Sequence, residues 1–155
     1  MDNSKIDCAT YIVYRIIAPK LIELRHEILR PGFPPASASF EGDDDPLSWH
    51  MGAFEFGPSE KLLSCASFLP SRWYGKPALR LRGMATRTNL QGKGIGTTLL
   101  QESEDMIVEH SETRLFWCDA RESAISFYEK LGWAIASDVF EIETVGPHRK
   151  MVKQR

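Results

Sequence analysis

The stretch Gln91-Gly92-Lys93-Gly94-Ile95-Gly96-Thr97 is the most informative part of this 155-residue chain. Its three alternating glycines stand between a predicted strand and a predicted helix. Glycine tolerates positive φ and lets a ligand approach the backbone closely. The first amides of a helix have no partners within the helix, and the helix dipole attracts anions there. The segment therefore predicts a cradle of backbone amides for phosphate groups.

The spacing of these glycines excludes two better-known glycine motifs. A P-loop needs Gly, four residues and then Gly-Lys-Ser/Thr, and the chain contains no such sequence. A dinucleotide fingerprint needs Gly or Ala three residues after its second glycine, where this chain has Thr97 or Leu99. Glycines alone would also suit a plain surface turn. The strand before the loop and the amphipathic helix after it favour the ligand-binding interpretation.

Outward from this loop, hydrophobic periodicity and turn residues predict the order β-α-β-β-β-α-β-α-β-β. Strands are expected at 11–17, 48–56, 62–69, 78–86, 115–118, 134–142 and 148–153, and helices at 19–30, 94–110 and 121–131. Residues 31–46, which contain several prolines and an acidic run, are interpreted as a long loop. Asp119 and Glu122 have capping-box-like spacing at the start of the third helix. This order is typical of an α/β domain with a mixed sheet, in which residues 78–118 form a right-handed parallel crossover.

The composition predicts one globular domain over residues 1–155, with 43% hydrophobic and 26% charged residues. A formal net charge of -2 argues against nucleic acid or an anionic membrane as the main partner. Cys8, Cys65 and Cys118 are odd in number and widely spaced, which favours free thiols in a reducing cytosol over disulfides or a zinc site. The first residues lack a signal-peptide pattern, and no apolar run reaches the ~20 residues of a membrane span. A cytoplasmic protein without a metal is expected.

Two motifs carry a resemblance to a known family. Gln91-Gly92-Lys93-Gly94-Ile95-Gly96 fits the pattern Gln/Arg-x-x-Gly-x-Gly/Ala, and residues 124–133 (AISFYEKLGW) fit A-x-x-F/L-Y-E-K-L-G-F. With both motifs in the family's order, the chain resembles the GNAT superfamily of N-acetyltransferases, most clearly over residues 78–133. A weaker similarity extends to Gly146-Pro147-His148-x-x-Met151. The N-terminal half is similar to the ElaA-like branch through Leu24-Arg25, the acidic loop and His50.

The resemblance implies an α/β fold of the α+β type. A single GNAT domain would have a mixed, mostly antiparallel central sheet flanked by helices, with a splayed cofactor-binding cleft. The strand at residues 81–85 would splay away from the next strand at a bulge. The implied cosubstrate is acetyl-CoA, whose pantetheine arm would fill the gap like an extra strand. Backbone amides near Met84 and Ala85 would face the thioester carbonyl. The implied pyrophosphate-binding residues are Gln91, Gly92, Lys93, Gly94, Ile95, Gly96 and Thr97.

Two further side chains gain implied roles from the resemblance. Tyr128 stands where many members keep a tyrosine that protonates the departing CoA thiolate, although a half-buried ring that only packs is the alternative. Arg121 departs from the family, because many members carry an asparagine there that contacts the cofactor. It would either pair with a CoA phosphate or be a solvated residue at the helix start. Lys93, Arg87 and Arg82 are also expected near the phosphates.

The acceptor amine must lose a proton before it attacks, so a general base is expected. The candidates are Glu27, Glu55, Asp119, His50 and His148, and no motif singles out one of them. Direct acetyl transfer in a ternary complex needs no covalent enzyme intermediate. Cys118 is therefore interpreted as a buried core residue.

Alternative functions and partners stay open from the sequence. The fold could serve as a non-catalytic acyl-CoA-binding module, or the enzyme could use a different acyl donor. The acceptor could be a small-molecule amine or a protein amine. The acidic stretch Glu41-Gly42-Asp43-Asp44-Asp45 could attract a cationic amine or be a solvated loop. A homodimer is also compatible with the resemblance.

Overall fold

A computed structural model describes residues 11–155, so Cys8 and the rest of the first ten residues lie outside the description. This part of the chain contains eight strands and three α-helices. The strands are β1 (Tyr11–Ile16), β2 (Trp49–Glu55), β3 (Leu62–Trp73), β4 (Lys76–Thr86), β5 (Leu115–Arg121), β6 (Ala134–Ile135), β7 (Phe140–Ile142) and β8 (Gly146–Gln154). The helices are α1 (Ile22–Leu29), α2 (Ile95–His110) and α3 (Ile125–Lys130). The predicted order of elements is confirmed, except that the strand predicted at 134–142 is divided into β6 and β7.

All strands belong to one sheet in the order β1-β2-β3-β4-β5-β8-β6, with β7 paired to β8. Of the strand pairs in the described part of the chain, only β4–β5 is parallel, and the connection between these two strands contains α2. The mixed, mostly antiparallel α/β sheet expected from the sequence is therefore confirmed. No helix within residues 11–155 is long and apolar enough to cross a membrane.

The central strands β4 and β5 separate soon after they meet. Their ladder contains only the pairs Leu79↔Phe116 and Arg80↔Trp117, although β4 continues to Thr86 and β5 to Arg121. The expected splayed cleft is thus present. Among the strands of residues 11–155, none pairs with this edge of β4 from residue 81 onward.

A bulge in β4 lies beside this cleft. On the β3 side the register passes from Ser67↔Arg82 to Cys65↔Ala85, so Gly83 and Met84 together face a single residue of β3. One extra residue reverses the alternation of side chains between the two faces of a strand. Leu81 accordingly packs in one core, whereas Ala85 packs in the other.

The two faces of the sheet bury two cores. The larger core contains Phe68, Phe116 and Met151 from the strands together with Leu99 and Ile107 of α2. The smaller core lies under α1, because its apolar residues pack against the opposite face of β2, β3 and β4. The helices thus cover both faces and leave the cleft at the centre of the sheet.

The structure corrects three details of the sequence prediction. β5 extends to Arg121, because β8 pairs with it along its whole length, and the third helix is correspondingly short. Asp119 lies within β5, so the predicted capping box with Glu122 is wrong, and no side chain caps that turn. The region 31–46 is not entirely irregular, since Pro35–Ala38 forms a turn of 3-10 helix.

Candidate active site

The glycine loop joins the end of β4 to the start of α2. Its glycines meet a backbone requirement, because Gly92 and Gly94 have φ values of 75° and 86°. The Gln91 amide Nε2 donates a hydrogen bond to the Thr86 carbonyl at 3.0 Å, which closes the loop. Gly94 precedes the helix without a side-chain cap, and the first turn of α2 contains no acidic residue. The first amides of α2 are therefore left to an external acceptor of negative charge.

A cavity of about 590 Å³ lies beside this loop and is called the loop cavity. The end of β4, the start of α2 and one side of α3 enclose it. Its lining includes Met84, Ala85, Thr86, Gln91, Gly92, Gly94, Ile95, Gly96, Thr97, Ala124, Phe127 and Tyr128. Lys93 is exposed and is not among the lining residues.

A second cavity of about 370 Å³ opens on the other side of the split between β4 and β5. It is called the arginine-lined cavity, because Arg30, Arg80, Arg82 and Arg121 contribute to its walls. Phe40, Cys118, Asp119 and His148 are also part of the lining. Three residues line both cavities, namely Met84, Ala124 and Tyr128.

Tyr128 lies at this junction with a nearly free hydroxyl group. The residue is 8% exposed, and its Oη has one contact among the described residues, a 3.9 Å approach to the Met84 sulfur. Burial, and to a lesser extent the nearby Cys118, raises the pKa of the phenol above its usual value. The hydroxyl is thus held in its protonated form at the meeting point of the two cavities.

His148 is buried on β8 and lines the arginine-lined cavity. Its Nδ1 lies 2.8 Å from the Gly146 carbonyl, an acceptor, so Nδ1 carries the proton and donates it. In the neutral ring, Nε2 then keeps its lone pair. Nε2 has no hydrogen-bond partner within residues 11–155. This nitrogen is suited to accept a proton from a molecule in the cavity.

Comparison with known proteins agrees with this arrangement. Residues 18–133 match the model of the Acetyltransferase (GNAT) family. The chain belongs to the GNAT family of acetyltransferases. The uncharacterized N-acetyltransferase YitI of Bacillus subtilis (strain 168) is 36% identical over 137 residues, which is 84% of this chain and 87% of YitI. The resemblance inferred from the two motifs is confirmed, and the protein is a GNAT N-acetyltransferase.

Solved structures share the whole fold. A putative N-acetyltransferase from Lactobacillus plantarum aligns with a TM-score of 0.75 and 17% identity, over 94% of this chain and 98% of that one. Escherichia coli ElaA aligns with a TM-score of 0.74 and 16% identity, over 93% and 98% of the two chains. At these identities the likeness concerns the fold alone. GNAT enzymes use acetyl-CoA and acetylate amine acceptors.

Two of the base candidates lie away from both cavities of this GNAT enzyme. Both ring nitrogens of His50 are occupied, Nδ1 by the Ser67 hydroxyl at 2.7 Å and Nε2 by the Asp43 carbonyl at 2.9 Å. Glu55 is exposed at the end of β2 and accepts a hydrogen bond from Ser59. Neither residue lines the loop cavity or the arginine-lined cavity. The structure gives no support to either one as the base.

The two remaining acidic candidates are already paired with cations. Glu27 is largely exposed and lies 3.5 Å from Arg87. Asp119 does line the arginine-lined cavity, but its two carboxylate oxygens each lie 2.8 Å from a cation, one from Arg80 and one from Lys150. Both oxygens of Asp119 are thus occupied by groups of the protein, and Glu27 lines neither cavity. His148 is the candidate that the geometry favours.

Several cationic residues differ from their expected positions near the phosphates. Arg121 and Arg82 line the arginine-lined cavity rather than the loop cavity. Arg87 is held by the Leu62 carbonyl at 2.6 Å. Sequence reasoning did not single out Arg80 or Arg30. The available signal was the alternation Arg80-Leu81-Arg82, because residues two apart in a strand share a face.

Cys118 fits its predicted role as a core residue. It is 2% exposed, and burial raises the pKa of its thiol to about 12. The group is therefore a protonated thiol at neutral pH, although it forms part of a cavity wall. Cys65 is also buried, with its thiol pKa raised to about 12 by burial. Both behave as small apolar residues of the interior.

Proposed function

We propose that this enzyme transfers an acetyl group from acetyl-CoA to a primary amine by direct attack in a ternary complex. The observation that carries this proposal is the meeting of the loop cavity and the arginine-lined cavity at Met84 and Tyr128. Two substrates that enter from the two sides would bring their reacting atoms together at that point. A ternary complex requires such an arrangement.

The loop cavity suits the phosphates and the pantetheine arm of acetyl-CoA. The amides of Ile95, Gly96 and Thr97 lack acceptors within α2 and would bind the pyrophosphate. Beyond residue 80, the edge of β4 facing β5 has no strand partner. An extended amide-containing chain can add to such an edge as a strand does. The acetyl thioester would then lie near the bulge at Gly83 and Met84.

The groups at the junction can perform each proton transfer. His148 Nε2 would accept the proton that the amine loses as its nitrogen attacks the thioester carbonyl carbon. Backbone amides near Met84 would stabilise the negative charge that develops on the carbonyl oxygen. When the C–S bond breaks, the CoA thiolate would take the proton of the Tyr128 hydroxyl. The products would be the N-acetylated amine and free CoA.

The burial of Tyr128 serves this role in one respect and limits it in another. Its raised pKa keeps the phenol protonated at neutral pH, so the acid is always available. The same shift makes the phenol a weaker acid than the thiol that it would generate, whose reference pKa is about 8.5. The transfer therefore depends on the proton that His148 takes from the amine, which would be returned to the Tyr128 phenolate and restore the phenol.

The first experiment incubates the purified protein with acetyl-CoA and a metabolite extract, and follows free CoA and acetylated products by mass spectrometry. Tyr128→Phe is assayed beside the wild type, with Tyr74→Phe as a control because Tyr74 is 85% exposed. We expect acetylated amines, a rate about 100-fold lower in Tyr128→Phe, and an unchanged rate in Tyr74→Phe.

Other outcomes would point to different functions. Binding of acetyl-CoA without any acetylated product, from small molecules or from added proteins, would favour a non-catalytic acyl-CoA-binding module. Stronger competition by longer acyl-CoAs would favour another acyl donor. Absence of acetyl-CoA binding would contradict the assignment of the glycine loop.

A further inference from the structure

We infer that the acceptor amine of this enzyme also carries an anionic group, a carboxylate or a phosphate, which binds to Arg82 and Arg30 in the arginine-lined cavity. This inference rests on the proposed function, because it assigns that cavity to the acceptor. The preferred acceptors would be small amines that carry an acid group, and polyamines would not be preferred.

The charge of the cavity is opposite in sign to that of the chain. Four arginines line it against one carboxylate, that of Asp119, whereas the whole chain has a net charge of -2. That carboxylate is already shared by Arg80 and Lys150. The positive charge is thus concentrated at this place and is not a general property of the protein. Such a concentration attracts anions.

Arg82 has no anionic partner of its own. Its guanidinium stacks on Phe40 at 4.3 Å and makes no hydrogen bond or ion pair with residues 11–155. Partial burial, followed by the nearby Arg80, Arg25 and Arg30, lowers its pKa from the usual value, and the more weakly acting Asp43 carboxylate only partly opposes this. These arginines repel the charge of Arg82, so an anion bound beside Arg82 would be stabilised by several cations at once.

Arg80 adds a further positive charge to the wall of the cavity. One of its terminal nitrogens donates to Asp119, but its Nε is buried and has no hydrogen-bond partner within the described residues. A buried donor without an acceptor is costly. Because this Nε is not accessible from the cavity, Arg80 would contribute to ligand binding through its positive charge on the same wall as Arg82. Guanidinium groups bind carboxylate and phosphate oxygens in the same manner.

The phosphates of CoA are not expected to use these arginines. The glycine loop belongs to the other cavity, and the two cavities share only Met84, Ala124 and Tyr128. The anion would accordingly lie on the acceptor side of the reacting atoms. A volume of about 370 Å³ also falls at the lower end of the range for small-molecule sites, about 300–1,000 Å³.

The acidic loop does not offer an alternative site for a cationic acceptor near Tyr128. The carboxylate of Asp43 is bound by Arg25 at 2.7 Å, and Asp44 and Asp45 line a different depression that includes His50. The hypothesis that this loop draws a cationic amine to the reaction centre is therefore not supported. The cations of the arginine-lined cavity would instead favour the neutral form of the amine, which is the reactive form.

The test measures binding and turnover separately. Binding of each probe to the protein saturated with CoA is measured by calorimetry, and acetylation is measured with acetyl-CoA by release of free thiol. The probes are the common L-amino acids, the carboxamide of the best one, O-phosphoethanolamine, ethanolamine and spermidine. A difference in affinity between the amino acid and its carboxamide shows whether a carboxylate is recognised. A difference between O-phosphoethanolamine and ethanolamine shows whether a phosphate is recognised.

We expect one acid-bearing amine to bind about 10- to 100-fold more tightly than its uncharged counterpart. Arg82→Gln and Arg30→Gln should each reduce that preference, with folding checked by circular dichroism. Arg72→Gln should leave it intact, because Arg72 is exposed on β3 and donates to the Gly75 carbonyl. Arg82→Lys, which keeps the charge but loses the planar fork, should retain part of it.

The failure of the inference and the failure of the proposed function give different results. Equal or tighter binding of spermidine or of the uncharged amines would overturn the inference, as would a preference that survives both Arg82→Gln and Arg30→Gln. Acetylation of such amines would still support the proposed function. Arginine-dependent binding of acid-bearing amines, with no acetylation of any amine, would instead contradict the proposed function and support the anion site.

Discussion

Arg25 is a fully buried charge that stabilises the long loop before β2. Its side chain is 0% exposed and donates hydrogen bonds to both carboxylate oxygens of Asp43, at 2.7 and 3.0 Å, and to the Ser67 hydroxyl at 2.6 Å. Removal of one partner of a buried pair leaves the other charge uncompensated. We predict that Asp43→Asn lowers the free energy of unfolding by about 3 kcal/mol, measured by urea denaturation. The exposed neighbour provides the control, since Asp44→Asn should change the stability by less than about 0.5 kcal/mol.

The same pair predicts how this stability depends on pH. Burial alone would raise the pKa of Asp43, but hydrogen bonds from Arg25 and from the Phe40 amide outweigh burial and lower it. A lowered pKa contributes stability above the unfolded value of about 3.9, and the contribution is lost as the pH falls through the folded value. The advantage of the wild type over Asp43→Asn should therefore be constant near neutral pH and shrink below about pH 4. An advantage that grows in acid would contradict the assignment.

His50 and His148 are the residues for which sequence reasoning reached its limit. Both are single histidines near predicted strands, and the sequence ranks them equally as bases. The two histidines differ in their hydrogen bonds. Both ring nitrogens of His50 are bonded, to Ser67 and to the Asp43 carbonyl, whereas Nε2 of His148 has no partner among the described residues and His148 lines a cavity. These partners come from other segments of the chain, so their contacts depend on the register of the sheet and cannot be read from local sequence.

This contrast gives a paired prediction at the same scale. His148→Gln keeps a hydrogen-bonding side chain but cannot take up a proton, so kcat should fall by about 100-fold with little loss of stability. His50→Gln should lower the free energy of unfolding by about 1–2 kcal/mol and leave kcat per folded molecule unchanged. Steady-state kinetics and urea denaturation on both variants check this. A larger loss of kcat in His50→Gln than in His148→Gln would indicate that His50 is the base and that His148 is structural.

At the scale of elements, the glycine loop was predictable because its requirement is local. Positions with positive φ favour glycine, so a loop of this kind is recognisable in the sequence as glycines between a strand and a helix. The bulge at Gly83 and Met84 was expected only from the family resemblance, and the extension of β5 to Arg121 was not predicted. Both depend on pairing with distant strands, which can override the local propensity for a helix or a regular strand.

The loop permits a matched test of its function. Gly94 and Gly75 have φ values of 86° and 79°, and a Cβ on either residue would meet nothing within 4 Å. Alanine at either position should therefore cost a similar conformational energy, about 1 kcal/mol. Only Gly94→Ala should also weaken the binding of CoA, because it rotates the amides at the start of α2. Calorimetric titration of CoA into both variants checks this, and equal affinities would mean that the loop does not bind the phosphates.

At the scale of the whole molecule, the sheet and its central cleft create a site from segments far apart in the chain. The family resemblance led us to expect the cleft, but the four arginines come from the end of α1, from β4 and from the end of β5. Their assembly depends on the three-dimensional packing of α1 on the sheet beside the split strands. The sequence could therefore predict the cofactor side of the site far better than the acceptor side.

The split between β4 and β5 leads to a final prediction about the molecule as a whole. CoA that occupies the cleft would supply hydrogen-bond partners to the edge of β4 that pairs with no described strand beyond residue 80. At 100 times its Kd, a ligand that binds only the folded state stabilises it by about 2.7 kcal/mol. For a chain of this size the corresponding rise in Tm is about 5–10 °C. Hydrogen exchange should slow most at residues 81–86 and at the start of α2, beyond the uniform slowing that the global stabilisation gives to amides that exchange only on complete unfolding. Only a ligand inserted between β4 and β5 protects their separated edges selectively. An equal slowing everywhere would therefore indicate that CoA stabilises the fold without entering the cleft.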